Sequence, residues 1–222
     1  MNSLNKNPPF YSTGAPLKQA EAAMLMLHGR GATAESILSL ASEFGQPAFA
    51  YLAPQASGYT WYPYTFLAPL AQNEPWLSSA LAAVAAGLEN LAASGITADR
   101  TILLGFSQGA CLALEFAARN ANRYSGRFGG LVGLSGGLIG PPGAPRDYPG
   151  SLEGSPVFLG CSDSDPHIPK ERVLESEQVL IRLGGDVTTR LYPGLGHTVN
   201  QDEIDFVRSM MKRLIDKTSS GS

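Results

Sequence analysis

The strongest constraint on how this chain folds is a rhythm. Short apolar runs recur, separated by amphipathic segments long enough to cross a sheet. "AAMLMLHG" (22–29), "AFAYLAP" (48–54), "RTILLGF" (100–106), "GGLVGLSG" (129–136), "SPVFLGCS" (155–162) and "DVTTRLYPG" (186–194) read as strands. The first five are almost continuously apolar, as strands covered on both faces are. The sixth alternates, with Val187, Thr189 and Leu191 on one side, which places it near a sheet edge.

Helical periodicity fills the gaps. In 74–94, Leu77, Leu81, Val84, Leu88 and Leu91 form one stripe, with Asn73 as N-cap, Pro75 in the first turn and Gly95 past the end. Further helices are expected at 34–45, 108–121, 170–183 and 201–216. Strand–helix alternation of this kind predicts an α/β fold, a mostly parallel sheet with helices on both faces. The Pro/Gly-rich segment 136–155 reads as a loop over one end of the sheet. A single domain is expected over 1–222, with an N-terminal extension to about residue 20 and a frayed tail at 217–222.

Charge narrows the partners. Sixteen Lys and Arg against 19 Asp and Glu give a net charge of −3, without a basic cluster, so neither nucleic acid nor a polybasic membrane surface is expected. The N-terminus lacks the charged-then-apolar pattern of a signal peptide, and the apolar stretches read as too short to span a bilayer. A cytoplasmic location without integral membrane association is expected, and a homodimer is compatible with the sequence. Cys111 and Cys161, the two cysteines, lie in apolar segments and read as reduced, buried thiols.

One junction carries chemistry. In Gly105-Phe106-Ser107-Gln108-Gly109 a strand turns at once into a helix. The crowded backbone needs glycine two residues before and two after the serine. Ser107 is thereby forced into a strained conformation with its hydroxyl exposed above the sheet, the pattern of a nucleophile elbow. The helix N-terminus beneath favours negative charge.

A serine hydroxyl needs an adjacent base at neutral pH. Of three histidines, His197 follows the last strand in a loop flanked by Gly194 and Gly196, at the correct end of the sheet. His28, at the end of the first apolar run, reads as a turn former, and His167 sits two residues from an aspartate. The base needs an orienting carboxylate, which Asp163 or Asp165 supplies just after a strand. Chain order Ser, Asp, His is that of an α/β-hydrolase. For a developing oxyanion, the backbone N–H of Gln108 and that of Arg30, flanked by Gly29 and Gly31, are the expected donors. No His/Cys cluster has metal-ligand spacing, so neither metal nor cofactor is expected.

With these pieces in order, the chain resembles the phospholipase/carboxylesterase branch of the α/β-hydrolases, which includes acyl-protein thioesterase-like enzymes. The carriers are "LHGRG" (27–31), "GFSQGA" (105–110), "DSDPHIP" (163–169) and "GLGH" (194–197), and the resemblance covers roughly residues 20 to 215. It implies an α/β-hydrolase fold. It places the acid immediately before the proline, selecting Asp165, and supports the Arg30 N–H as an oxyanion donor. Arg30 departs from the leucine often found there, which argues against long-acyl, lipoprotein-type substrates. The resemblance also implies a tryptophan after the second strand. Trp61 and Tyr62, with Tyr64 and Phe66 beside them, are expected to line an acyl or aromatic pocket together with His167.

The expectation is a serine carboxylesterase for short-chain acyl or small aromatic esters, without a lid domain. A thioesterase or lysophospholipase would use the same residues. A dienelactone hydrolase would place Cys at the elbow, and a haloalkane dehalogenase Asp. A hydrolase fold serving as a ligand-binding receptor would show a broken triad.

Overall fold

A computed structural model describes residues 4–5, 8–124 and 127–220, the last four without their side chains. A strand that the sequence did not announce comes first. β1 (Phe10–Gly14) runs antiparallel to β3 (Phe49–Pro54), with Phe10 opposite Pro54 and Gly14 opposite Ala50. These residues were expected in an N-terminal extension. β1 is a sheet edge with four exposed positions and one half-buried, so it shows no apolar run.

β2 (Ala22–Leu27) is fully buried along its length. It sends Ala23, Leu25 and Leu27 to one core and Ala22, Met24 and Met26 to the other, which is why the run is continuously apolar. The expected helix over 34–45 is split into α1 (Ala34–Leu38) and α2 (Leu40–Phe44). After β3 come the single turn α3 (Leu70–Asn73) and α4 (Trp76–Ala93). The stripe of Leu77, Val84, Leu88 and Leu91 is buried on the sheet, with Leu81 packed at its margin. α4 is long and apolar enough to cross a membrane by length and composition only, although every apolar stretch reads in the sequence as too short. Its alanines raise the mean hydropathy, and its leucine face is spent on the core.

β4 (Thr101–Phe106), α5 (Gln108–Arg119), β5 (Gly130–Leu134), β6 (Pro156–Ser162), α6 (Lys170–Arg182), β7 (Asp186–Tyr192) and α7 (Gln201–Ser220) complete the chain. Among the described residues seven strands form one sheet in the order β1-β3-β2-β4-β5-β6-β7, parallel except for β1, with β7 at the far edge. Helices α4, α5 and α6 cover one face and α1, α2 and α7 the other.

β2 lies between β3 and β4, so the crossover from β2 to β3 leaves on one side and the next connection returns on the other. Such a switch point opens a crevice at the carboxyl ends of the two diverging strands. Here those ends are Leu27-His28-Gly29-Arg30 and Phe106-Ser107.

Candidate active site

Ser107 stands between β4 and α5 with φ 55° and ψ −119°, a region that non-glycine residues avoid. Packing forces this. A Cβ on Gly105 would lie 2.2 Å from the backbone of Gly109, and one on Gly109 would lie 2.1 Å from the Leu27 carbonyl oxygen. α5 thus starts in direct contact with both its own strand and β2. The Ser107 N–H is tied to the Leu134 carbonyl at 2.9 Å, which fixes the turn from the β5 side.

His197 reaches Ser107 from the loop between β7 and α7. Its Nε2 lies 2.9 Å from Ser107 Oγ, and its Nδ1 lies 2.7 Å from Asp165 Oδ2. The loop is held by the end of β6. Ser162 Oγ accepts from the Gly196 N–H at 3.1 Å, and Asp163 Oδ1 accepts from the Gly194 N–H at 3.0 Å. Both glycines have positive φ, 63° and 76°, which lets the loop fold back over the sheet.

The Asp165 side chain is wholly buried. Burial alone would raise its pKa. The His197 N–H outweighs that, together with the backbone N–H groups of His167 at 2.8 Å and Ile168 at 3.1 Å on Oδ1, and the carboxyl titrates below its ordinary range. An ionised Asp165 requires His197 Nδ1 to carry the proton, which leaves the Nε2 lone pair facing the serine hydroxyl. Phe106 packs on the imidazole with ring centroids 5.0 Å apart, and His167 meets it edge-on at 4.8 Å.

Ser107 and His197 open into a cleft of about 610 Å³. Its walls are Arg30, Gln108 and Cys111 on one side, the segment Tyr62 to Phe66 on another, and His167 and Ile168 on the third. The Arg30 backbone N–H makes no hydrogen bond among the described residues. That of Gln108 is at the first position of α5, where no intrahelical acceptor exists.

A family model described as Phospholipase/Carboxylesterase matches residues 11–215 of this sequence. The chain belongs to that family. Among solved structures, a phospholipase/carboxylesterase from Dyadobacter fermentans superposes with a TM-score of 0.87 at 41% identity, over 92% of this chain and 96% of that one. Esterase PE8 superposes with a TM-score of 0.74 at 27% identity, over 93% and 98%. An acyl-protein thioesterase 1 from Gibberella zeae is 33% identical over 129 residues, 54% of this chain and 50% of that protein. The match thus spans about half the length of that curated relative.

Two residues of this family member lie elsewhere than expected. Trp61 does not line the cleft. Its side chain is completely buried, its indole N–H donates to the His28 carbonyl at 2.8 Å, and its ring packs against His28. A loop that must cover the end of β2 turns its largest ring inward. Asn73 does not cap α4. It is buried, accepts from the Tyr64 N–H at 2.9 Å and donates to the Thr65 carbonyl at 3.1 Å, so it holds the cleft wall instead.

Tyr62 reaches the cleft as part of its floor, nearly inaccessible beside Cys111, whose thiol burial pushes up to about 12. Cys161 is likewise free and buried, its thiol pushed up to about 12 by burial. His28 is buried with Nε2 accepting from the Ala56 N–H at 3.1 Å, and burial lowers its pKa. Ser162, Thr60 and Asn73 organise the site and were not singled out for it. Small polar residues in loops carry no signal until the fold shows which backbone groups they face. Among the described residues, no group of three or more His, Cys, Asp or Glu is arranged to hold a metal.

Proposed function

We propose that this chain is a serine hydrolase of carboxylic esters. The observation that carries the proposal is the single imidazole joining Ser107 at 2.9 Å to the buried carboxylate Asp165 at 2.7 Å. His197 Nε2 takes the Ser107 proton as Oγ attacks the ester carbonyl. The backbone N–H groups of Arg30 and Gln108 receive the oxyanion, aided by the N-terminus of α5. The imidazolium, balanced by Asp165, protonates the departing alcohol. Water then repeats the cycle on the acyl-enzyme.

The cleft is open and flanked by Tyr62, Tyr64 and Phe66, and among the described residues no lid domain lies over it, which favours short acyl or small aromatic esters. A thioester is the second reading. It is favoured by the likeness to an acyl-protein thioesterase, and it requires no change in the groups named.

A fluorophosphonate probe tests the nucleophile and base together. The expected adduct lies on the peptide holding Ser107 and disappears in both Ser107→Ala and His197→Ala. An adduct elsewhere, or none on the folded wild type, overturns the proposal. Comparing kcat/KM on matched oxygen and sulfur esters then ranks the two readings.

A further inference from the structure

The two residues assigned as oxyanion donors share a second feature. Their side chains hold one and the same loop, and both converge on one carbonyl. Arg30 Nη1 donates to Thr60 Oγ1 at 3.0 Å and to the Pro63 carbonyl at 3.1 Å. Its Nη2 donates to the carbonyls of Tyr62 at 3.0 Å and Tyr64 at 2.8 Å. The same loop is held by Gln108, whose Oε1 accepts from the Trp61 N–H at 3.0 Å and whose Nε2 donates to the Tyr62 carbonyl at 2.8 Å. The carboxamide orientation is fixed, because a backbone N–H can only donate.

We infer that the Arg30 guanidinium and the Gln108 carboxamide act as a clamp that positions the oxyanion site. They lock the 60–64 loop to the two backbone N–H groups that receive the substrate's negative charge. The inference rests on the reading of this site as an ester hydrolase.

Stoichiometry separates the clamp from the obvious alternative, an arginine that captures an anionic substrate. Arg30 lines the cleft, and its guanidinium meets one hydroxyl and three backbone carbonyls with no carboxylate partner among the described residues. Yet the two Nη atoms carry four hydrogens and meet four acceptors, all belonging to residues 60–64. Bidentate capture of a substrate carboxylate through those hydrogens would require dismantling the loop.

The Tyr62 carbonyl is saturated by Arg30 and Gln108. The Thr60 hydroxyl has one hydrogen to give and lies 3.0 Å from that carbonyl and 3.2 Å from Gln108 Oε1; donation to Oε1, which has a second lone pair open, closes a ring through both oxyanion residues. Two further ties tighten the same seam. The Gly31 N–H donates to the Tyr59 carbonyl at 2.7 Å, and the Trp61 indole binds the His28 carbonyl. The chain on either side of the Arg30 N–H is therefore fixed to the cleft wall. A donor set in this way needs no reorganisation when charge develops.

The test uses Arg30→Leu and Arg30→Lys in the full chain, both of which keep the backbone donor. Two substrates are used, a neutral short-chain ester and its match bearing a distal carboxylate. Clamping predicts that Arg30→Leu lowers kcat on both esters by the same factor, up to about 10²-fold, with KM nearly unchanged. Lysine fails to restore the rate, because an ammonium cannot hold four acceptors in one plane. Amide hydrogen exchange supplies a readout independent of turnover. The Trp61 and Tyr64 amides are expected to exchange at least about tenfold faster in Arg30→Leu, while those of β4 keep wild-type rates.

Unchanged exchange in 59–64 overturns the clamp. So does a loss confined to KM on the anionic ester that lysine restores, which would make Arg30 a charge reader. Inertness of the wild type toward every ester and thioester would remove the catalytic reading alone, and the exchange rates would still decide the clamp. If Arg30→Leu does not fold, Thr60→Val removes one acceptor and the ring-closing hydroxyl, and the same changes are expected at smaller size.

Discussion

Asp163 and Asp165 are two residues apart and chemically identical, yet only one touches His197. Asp165 is buried under three N–H groups. Asp163 is exposed and holds the loop through the Gly194 N–H, which draws its pKa down. Asp165→Asn is therefore expected to lower kcat by about 10⁴-fold, because an amide cannot hold the imidazole in the required tautomer. Asp163→Asn is expected to cost less than about tenfold, since an amide oxygen still accepts from Gly194. Steady-state kinetics on one ester compares the two, and equal losses would contradict the division of roles. At this scale the residues with a chemical signature were the legible ones. A serine between obligatory glycines and a histidine in a glycine loop stand out in the sequence, the family resemblance chose Asp165 over Asp163, and the fold brings the three within hydrogen-bond distance. Trp61 was misplaced because the resemblance and the neighbouring rings put it in that loop without saying which side of the loop it faces.

Between residues and the whole fold, the decisive contact is the crossing of α5 over β2. Gly109 makes it possible, since any Cβ there would meet the carbonyl oxygens of Leu27 at 2.1 Å and His28 at 2.6 Å. Both are backbone atoms, at the end of a central strand and just past it, and cannot rotate away. Gly109→Ala is expected to cost about 3 kcal/mol or more in urea unfolding. Gly45→Ala, where an added Cβ meets nothing but φ is 61°, should cost about 1 kcal/mol. Comparable losses at the two positions would mean that crowding at the elbow is not what requires glycine. The central strands were legible because burial on both faces writes an unbroken apolar run. β1 was not, because an edge strand beginning just past Pro8-Pro9 and running on through Ser12 and Thr13 reads as coil. The break between α1 and α2 also escaped. Ser36, Ser39 and Ser42 each donate a hydroxyl to the carbonyl three residues back, a local competition that hydrophobic periodicity does not register.

For the molecule as a whole, one buried carboxyl sets a pH dependence that net charge would not suggest. Glu203 is fully buried in the first turn of α7, against Gly160 of β6, and its Oε1 has no hydrogen-bond partner among the described residues. Its Oε2 accepts from the Asn200 N–H at 2.9 Å, and Asn200 Oδ1 accepts from the Glu203 N–H at 2.9 Å, a reciprocal cap. Burial raises its pKa from the ordinary 4.5 to about 7. The Asn200 N–H works against that rise, and the charge of Asp202 adds to it. Because the folded value lies above the unfolded one, the folded state holds the proton more tightly. Stability from this group is complete below pH 4.5 and is lost as pH climbs through about 7, a difference of ~3 kcal/mol. His28 acts in the opposite direction, since its lowered pKa adds stability as pH rises toward 6.5. The raw profile therefore mixes the two, and Glu203→Gln isolates the first. It retains the shape and the cap while removing the titration. Its stability relative to wild type is expected to grow between pH 4.5 and about 7 and to level off above, as measured by urea unfolding at a series of pH values. A difference that stays constant across that interval would show that Glu203 titrates at the same pH in the folded and unfolded chains.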